Sequence, residues 1–426
     1  MDHVPEGPVK CDVAVVGGGI IGLATAREFM TRYPHLKVAV LEKDAQVAQQ
    51  QTAHNSGVIH AGIYYEPGST MARLCVRGAD MMYDYCESKG LPVDRVGKVI
   101  VAADEEQVPV LEELLRRGQK NGVEGLEIID ENRLLELEPN IKGKAALFSP
   151  NTGIADFESV AKTLADDLTT AGNKVLCNFN VQSIKRGKYN GNTVNLLEGV
   201  ESGQFGPTKQ VVADFVVACC GLHADVVARR GGGKRNPVIV PFRGTYWEMK
   251  PEFSDVVRRN VYPVPSNAGI PVGVHFSPTA NMTRGRKIIV GPSSCLAFSR
   301  EGYRFSKVSA RDLLRSVHSF GFLRFVTTNP IFSIQELARD LSKSLFLREA
   351  RKLVPTVTRD MLQPSFKGVM SQVFMNNGKA ASDFIFEEAP GAVYVRNAPT
   401  PACTAALAIA SDIVDKVTKS MDAEKK

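Results

Sequence analysis

Cys11-Asp-Val-Ala-Val-Val-Gly-Gly-Gly-Ile-Ile-Gly-Leu23, running on through Ala24 and Ala26 to Leu41-Glu42-Lys43, decides the fold. Residues 13–16 are a short apolar, mostly β-branched run, as a strand buried on both faces requires. Gly17, Gly19 and Gly22 follow in G-x-G-x-x-G order. Residues 21–29 read as a helix with small residues toward the glycines, and 37–41 as a second apolar strand closed by Glu42 and Lys43. Gly17 makes the tight turn, Gly19 lets backbone amides approach a pyrophosphate, and Gly22 lets helix and strand pack closely. The amides at the helix N-terminus favour phosphate charge. Glu42, about 20 residues past the turn, is placed to accept hydrogen bonds from ribose hydroxyls. Strand, glycines, helix, strand and terminal acid in this order predict a dinucleotide site, with FAD and NAD both open.

The chain has 426 residues, 44% of them hydrophobic and 23% charged, which is ordinary globular composition and enough for two domains. A net charge of +6 is mild for this length and gives no reason to expect nucleic acid. It suits an anionic cofactor and substrate, or an anionic membrane surface. The eight cysteines are scattered, with no C-x-x-C or Cys/His ligand spacing, so free thiols and no metal are expected. No apolar run reaches the roughly 18–20 residues that span a bilayer. The first ten residues, with Asp2, Glu6 and two prolines, resemble neither a secretory signal nor an Arg-rich transit peptide.

Past the opening unit, residues 49–65 are small, polar and glycine-punctuated, yet carry Val58, Ile59 and Ile63. A segment lying against a ligand fits this mixture, with His54 and His60 available for hydrogen bonds or proton movement. Helices are expected at 71–90, 105–121, 130–137 and 157–171, and strands at 98–103, 175–184 and 194–197. Residues 213–225 repeat the opening logic, an apolar strand ending at Gly221 before a helix. The basic glycine run 229–235 reads as a solvated connector and a domain boundary. From 238 to 290 short strands (238–240, 246–249, 261–264, 272–276, 287–290) alternate with turns, which predicts a second, antiparallel domain. Two helices are expected to follow, opened by capping boxes at Ser309/Asp312 and Ser333/Glu336. The basic residues of 284–359 then lie on outer faces, solvated or against a membrane surface. Strands at 368–374 and 384–386 flank an Asn-Asn-Gly turn, and 391–407 is strand, turn and small-residue helix start.

Together these pieces resemble the FAD-dependent D-amino-acid-oxidase superfamily, and within it the L-2-hydroxyglutarate dehydrogenase/oxidase family, over about residues 10–417. The resemblance is carried by Val15-Val-Gly-Gly-Gly-Ile-Ile-Gly-Leu23 and by His54-Asn-Ser-Gly-Val-Ile-His-Ala-Gly-Ile-Tyr-Tyr65. Pro241-Phe-Arg-Gly-Thr-Tyr246, Tyr262-Pro-Val-Pro265, Gly273-Val-His-Phe276 and Val395-Arg-Asn-Ala-Pro-Thr-Pro401 complete it. It implies FAD rather than NAD. It also implies an α/β protein: a discontinuous Rossmann-like FAD-binding domain (1–105, 150–237, 360–426) and a mainly antiparallel-sheet substrate domain with helices (106–149, 238–359).

Carried onto this chain, the resemblance puts Gly17, Gly19 and Gly22 at the pyrophosphate and Glu42, with Lys43 beside it, at the ribose. Thr52, His54, Asn55, Ser56 and Gly57 would lie along the flavin side, Val181 near the adenine and Gly221 by the pyrophosphate. Asn397, Pro399 and Thr400 would close over the flavin. The implied reaction is oxidation of L-2-hydroxyglutarate to 2-oxoglutarate, with hydride going to flavin N5 and electrons passing on to a quinone or carrier protein. A base near neutral pKa suits the hydroxyl proton, so His60, then His275, are the candidates. Arg243, read as part of a turn, and Tyr262 are the candidate substrate anchors. One departure stands out: Met370, in Lys367-Gly-Val-Met-Ser-Gln372, occupies the position of a family arginine near flavin and substrate carboxylate. Lys367, Arg243 or Arg396 would have to supply the charge. An enzyme for another 2-hydroxy acid or an amino acid, and a flavin-binding protein without catalysis, are the alternatives. A mitochondrial location is what the family implies, a cytoplasmic one what this N-terminus suggests, and peripheral membrane contact fits either.

Overall fold

The computed structural model describes residues 7–201, 209–265, 273–281 and 285–424. Asp2, Glu6 and Val272, at the start of an expected strand, lie outside the described residues. The first sheet is built on parallel neighbours in the order Ala392–Asn397, Lys209–Ala218, Val9–Val16, Val38–Leu41 and Lys174–Leu176. A hairpin, Asn180–Tyr189 with Asn192–Val200, and the strand Ile385–Ala389 extend it antiparallel. Strand alternation sorts its two faces. Val13 and Val15 pack with Phe29, Leu164 and Ile413 of the helices Ile20–Arg32, Phe157–Thr170 and Ala406–Glu424, whereas Ala14 and Val16 pack with Val216 and Tyr394. Both faces are covered, so the apolar run at 13–16 is buried throughout, as expected.

Among the described residues the second sheet has nine strands and is antiparallel except where Asn260–Pro263 runs parallel to Lys98–Ala102. Its spine is Ile239–Met249 against Leu362–Val373, paired from Ile239↔Val373 to Met249↔Leu362 with a register shift between Thr245 and Trp247. The strands expected at 238–240 and 246–249 are therefore one, and Pro241-Phe-Arg-Gly244 is strand rather than turn. Pro241 is tolerated there because it uses only its carbonyl, which accepts from the Ala297 amide. Lys98–Ala102 and Leu362–Val373 hydrogen-bond into this sheet, on the far side of the boundaries expected at 105/106 and 359/360.

Four helices, not two, follow: Ala310–Val317, Phe320–Thr328, Pro330–Leu341 and Lys343–Leu353. Ser309 caps the first, accepting from the Asp312 amide. Ser333 caps nothing. Pro330, preset for a first helical turn, starts the third helix earlier, and the Ser333 hydroxyl donates back to the Asn329 carbonyl. A small third sheet, Val58–Ile59 with Gly153–Ala155 and Val93–Asp94, pins the 49–65 segment between the two larger ones.

Candidate active site

A cavity of about 470 Å³ opens where the strand ends of the first sheet meet the second. Its floor is the glycine turn. Gly17 sits at φ +110°, and a Cβ there would stand 2.3 Å from the Cys219 carbonyl oxygen. A Cβ on Gly22 would stand 2.0 Å from the Gly17 carbonyl oxygen, so helix and strand touch through backbone alone. Gly19 caps helix Ile20–Arg32 without a side-chain bond, while the Ile20 amide donates to Thr52 Oγ1 at 3.1 Å. Glu42 accepts from the amides of Gly18 (2.6 Å) and Asp44 (2.8 Å), one per carboxylate oxygen. A second lone pair on each oxygen stays free for hydroxyl donors. Burial raises this carboxyl above its ordinary range despite those amides.

The cavity is lined from Val181 and Arg230, past Gly17 and Gly19, to His54, Tyr246 and Met370. Glu42, Lys43, Thr52, Asn55, Ser56, Gly221, Asn397 and Thr400 also stand on its wall, as the reading of the sequence expects. Gly22, Gly57 and Pro399 do not; Gly57 backs the wall, where a Cβ would meet the Ala155 carbonyl at 2.9 Å. Lys43 is held in ion pairs with Asp44 and Glu301, both at 2.8 Å. The His54 ring lies against Tyr303 with centroids 4.5 Å apart. A backbone cradle with no room for side chains, a buried acid with spare acceptor capacity and an elongated slot fit FAD.

His60 also lines the cavity, at the end of strand Val58–Ile59. Thr404 ties it down: its Oγ1 accepts from the His60 amide (3.1 Å) and donates to the Val58 carbonyl (3.2 Å). The 49–65 segment and the C-terminal helix start thus hold each other. Burial first, then the charges of Lys98 and His275, push the His60 imidazole well below its ordinary value. Its Nδ1 is buried without a hydrogen-bond partner among the described residues.

His275 and Tyr262 lie off the cavity wall and stack on each other, centroids 3.9 Å apart at 13°. The His275 Nδ1 faces the Gly273 carbonyl at 2.9 Å, and burial drives its pKa down to about 3. Arg243 is placed differently from the expected anchor role. It is not on the wall; its guanidinium pairs with buried Asp340 and covers the Phe305 ring. Arg396 is likewise spent on Glu387. Neither charge is free to compensate for Met370.

Two cations were missed. Arg230, read as part of a solvated connector, reaches the cavity wall, where its Nη1 donates to the Val181 carbonyl. Lys98 is 1% exposed, beneath Tyr64 and Tyr262. Its signal is a lone cation on the face of Ile100 and Ala102 in an otherwise apolar strand.

Residues 12–416 match the model of the FAD dependent oxidoreductase family. The mitochondrial L-2-hydroxyglutarate dehydrogenase of Nematostella vectensis is 39% identical over 416 residues, covering 96% of this chain and 90% of that protein. The Homo sapiens protein of the same name is 37% identical over 419 residues, covering 96% and 89%. Among solved structures, FAD-bound L-α-glycerophosphate oxidase from Mycoplasma pneumoniae superposes with a TM-score of 0.76 at 24% identity, over 96% of this chain and 95% of that one. Glycine oxidase from Geobacillus kaustophilus gives 0.68 at 18%, over 96% and 95%. With the glycine cradle and Glu42 in place, the chain belongs to the FAD-dependent oxidoreductase family and, within it, to the L-2-hydroxyglutarate dehydrogenases.

Proposed function

We propose that the protein oxidises L-2-hydroxyglutarate to 2-oxoglutarate, with His60 accepting the hydroxyl proton. The observation that carries this reading is a histidine held neutral on the cavity wall, in a chain that matches enzymes of that name along 96% of its length. Bound FAD would supply the hydride acceptor. Gly17, Gly19 and the first-turn amides would hold the pyrophosphate, and Glu42 the ribose. Thr404 fixes the backbone of His60, which anchors the residue at the cavity wall. Burial of the imidazole leaves it unprotonated at neutral pH and able to take the proton. In an anaerobic absorbance titration, L-2-hydroxyglutarate should bleach the flavin bands of the purified protein and the D enantiomer should not. Bands that stay oxidised with the L form would refute the substrate.

Met370 on the wall favours a second reading, another 2-hydroxy or amino acid as substrate. The same titration with those acids separates the two.

The electron acceptor is proposed to be a membrane quinone, reached from the bilayer surface. No helix among the described residues is long and apolar enough to cross a membrane. Helices Ala310–Val317, Phe320–Thr328 and Pro330–Leu341 nonetheless hold out Leu314, Phe320 (64% exposed), Leu323, Ile331 (70%), Ile334 (67%) and Leu341. Arg304, Lys307, Arg311, Arg324 and Arg348 are exposed around them, and no acid of the described residues 303–348 is. Apolar side chains ringed by cations suit an anionic lipid surface. Vesicles containing anionic lipid should float the protein, and Phe320→Ser/Ile331→Ser/Ile334→Ser should abolish flotation with flavin content unchanged. Equal flotation of the variant would remove this surface from the account. The mitochondrial labels of the relatives support a mitochondrial location.

A further inference from the structure

The buried face beyond His60 holds a group that the flavin does not need. Lys98 begins strand Lys98–Ala102, on the side where Ile100 and Ala102 are core. Its ammonium stands 3.7 Å from the centroid of the Tyr262 ring and 4.6 Å from that of Tyr64. No carboxylate pairs with it among the described residues, whereas on the cavity wall Lys43 is held by Asp44 and Glu301, and Arg396 by Glu387. Around it lie three buried polar atoms with no hydrogen-bond partner among the described residues: His60 Nδ1, His275 Nε2 and Tyr64 Oη. His60 connects this cluster to the cavity, because it lines the cavity and also feels the charges of Lys98 and His275.

A buried ammonium between two ring faces keeps only part of the stabilisation that water gave it. Burial accordingly brings Lys98 down to about 7. Unpartnered buried polar atoms are rare in folded proteins, and several gathered round one unpaired cation describe a place prepared for an anion. Ring faces supply the walls, the ammonium the charge, and the Tyr64 hydroxyl a second donor.

Resting on the L-2-hydroxyglutarate reading, we propose that Lys98, with the Tyr64 hydroxyl, binds the distal carboxylate of the substrate. It thereby takes over the charge that Met370 does not supply. The reacting carbon belongs at His60 on the cavity wall. Lys98 is 1% exposed and stands behind the cavity wall that His60 lines, so the end of the substrate it meets is the one remote from the flavin. Selection for a dicarboxylate is then made from the second sheet, through a strand that pairs with the Tyr262 strand in parallel register, Lys98 opposite Asn260.

The test compares L-2-hydroxyglutarate with L-2-hydroxypentanoate, in which a methyl group replaces the distal carboxylate, using the FAD-loaded wild type and Lys98→Met. Methionine keeps the stem and removes the charge. The KM for L-2-hydroxyglutarate should rise about 100-fold with kcat changed only a few-fold, the loss expected when one partner of a buried charge pair is removed. The KM for L-2-hydroxypentanoate should stay within a few-fold. Equal losses on both substrates, or none on either, would overturn the proposal. Calorimetric titration with glutarate, which cannot react, reads the same subsite without turnover. Wild type should bind it about 100-fold tighter than Lys98→Met, and Lys98→Arg should recover part of the difference. Equal glutarate affinity in wild type and Lys98→Met would overturn the proposal whatever the true substrate is. Failure of L-2-hydroxyglutarate to reduce the wild-type flavin, with the glutarate difference intact, would refute the substrate and leave the dicarboxylate subsite standing.

Discussion

Replacing His60 with glutamine should lower turnover about 10³-fold and leave FAD bound. Glutamine fills a similar volume and keeps a polar end but cannot accept a proton. The proposed cofactor contacts come from other parts of the cavity wall: the glycine turn at Gly17 and Gly19, Glu42 and the segment at 397–400. The Thr404 clamp acts on the His60 backbone, so it survives the substitution. Stopped-flow reduction under anaerobic conditions reads the rate, and the ratio of flavin to protein absorbance reads the occupancy. The pH dependence carries a second signature. Burial and the nearby Lys98 charge hold the imidazole below its ordinary 6.5, so the base stays competent across neutral pH. The acid limb of kcat/KM should therefore fall below pH 6.5 in the wild type and be absent from the variant. Lys98, near 7, acts in the opposite sense, losing its charge as pH rises, so the dicarboxylate KM should climb on the alkaline side. His275→Gln should cost less, because His275 stands off the cavity wall with its Nδ1 engaged by Gly273. A His60→Gln enzyme within tenfold of wild type would transfer the role of base to another group.

What was legible in the sequence was what local geometry dictates. The Gly17 and Gly22 assignments hold because each has backbone oxygen where a Cβ would be, a constraint built within a short stretch of chain and across one sheet pairing. The mixed character of 49–65 marked it as ligand-facing, since it is neither core nor linker, and nearly half of it lines the cavity. The two misread charges share a long-range cause, whereas the misread cap has a local one. Arg243 looked available because Asp340, which neutralises it, comes 97 residues later. Lys98 looked like an ordinary strand start because its surroundings are drawn from Tyr64, Tyr262 and His275, on three other segments. Ser333 satisfied a capping pattern that Pro330 had already pre-empted. The glycine turn was legible because its own backbone enforces it; which charges remain unpaired is decided by tertiary contacts that no local pattern encodes.

The pair Asp225–Arg300 shows the same point as a stability prediction. Both residues are at most 2% exposed, and the guanidinium grips the carboxylate with two bonds, Nη1 to Oδ1 at 2.5 Å and Nη2 to Oδ2 at 2.9 Å. Arg300 also donates to the carbonyls of Leu222 and Ile239. It therefore joins the turn Gly221–His223 on the cofactor side to the first residue of the strand Ile239–Met249 in the second sheet. Asp225→Ala would leave the buried guanidinium only the more distant, partly solvated Asp312, 3.4 Å from its Nε, as counter-charge, which costs about 3 kcal/mol. The apparent Tm of the FAD-loaded protein should drop on the order of 10 °C. Because Gly221 lines the cavity, flavin should also dissociate faster from the variant. The exposed pair Arg133–Glu136 is the control: both partners are more than half exposed, water screens them, and Glu136→Ala should leave Tm unmoved. If desolvation is the origin of the cost, removing both charges should restore most of the loss. Asp225→Ala/Arg300→Met should thus melt above Asp225→Ala alone. A double variant melting as low as the single one would mean that the carbonyl contacts of Arg300, and not its unpaired charge, hold the two sheets together at this point.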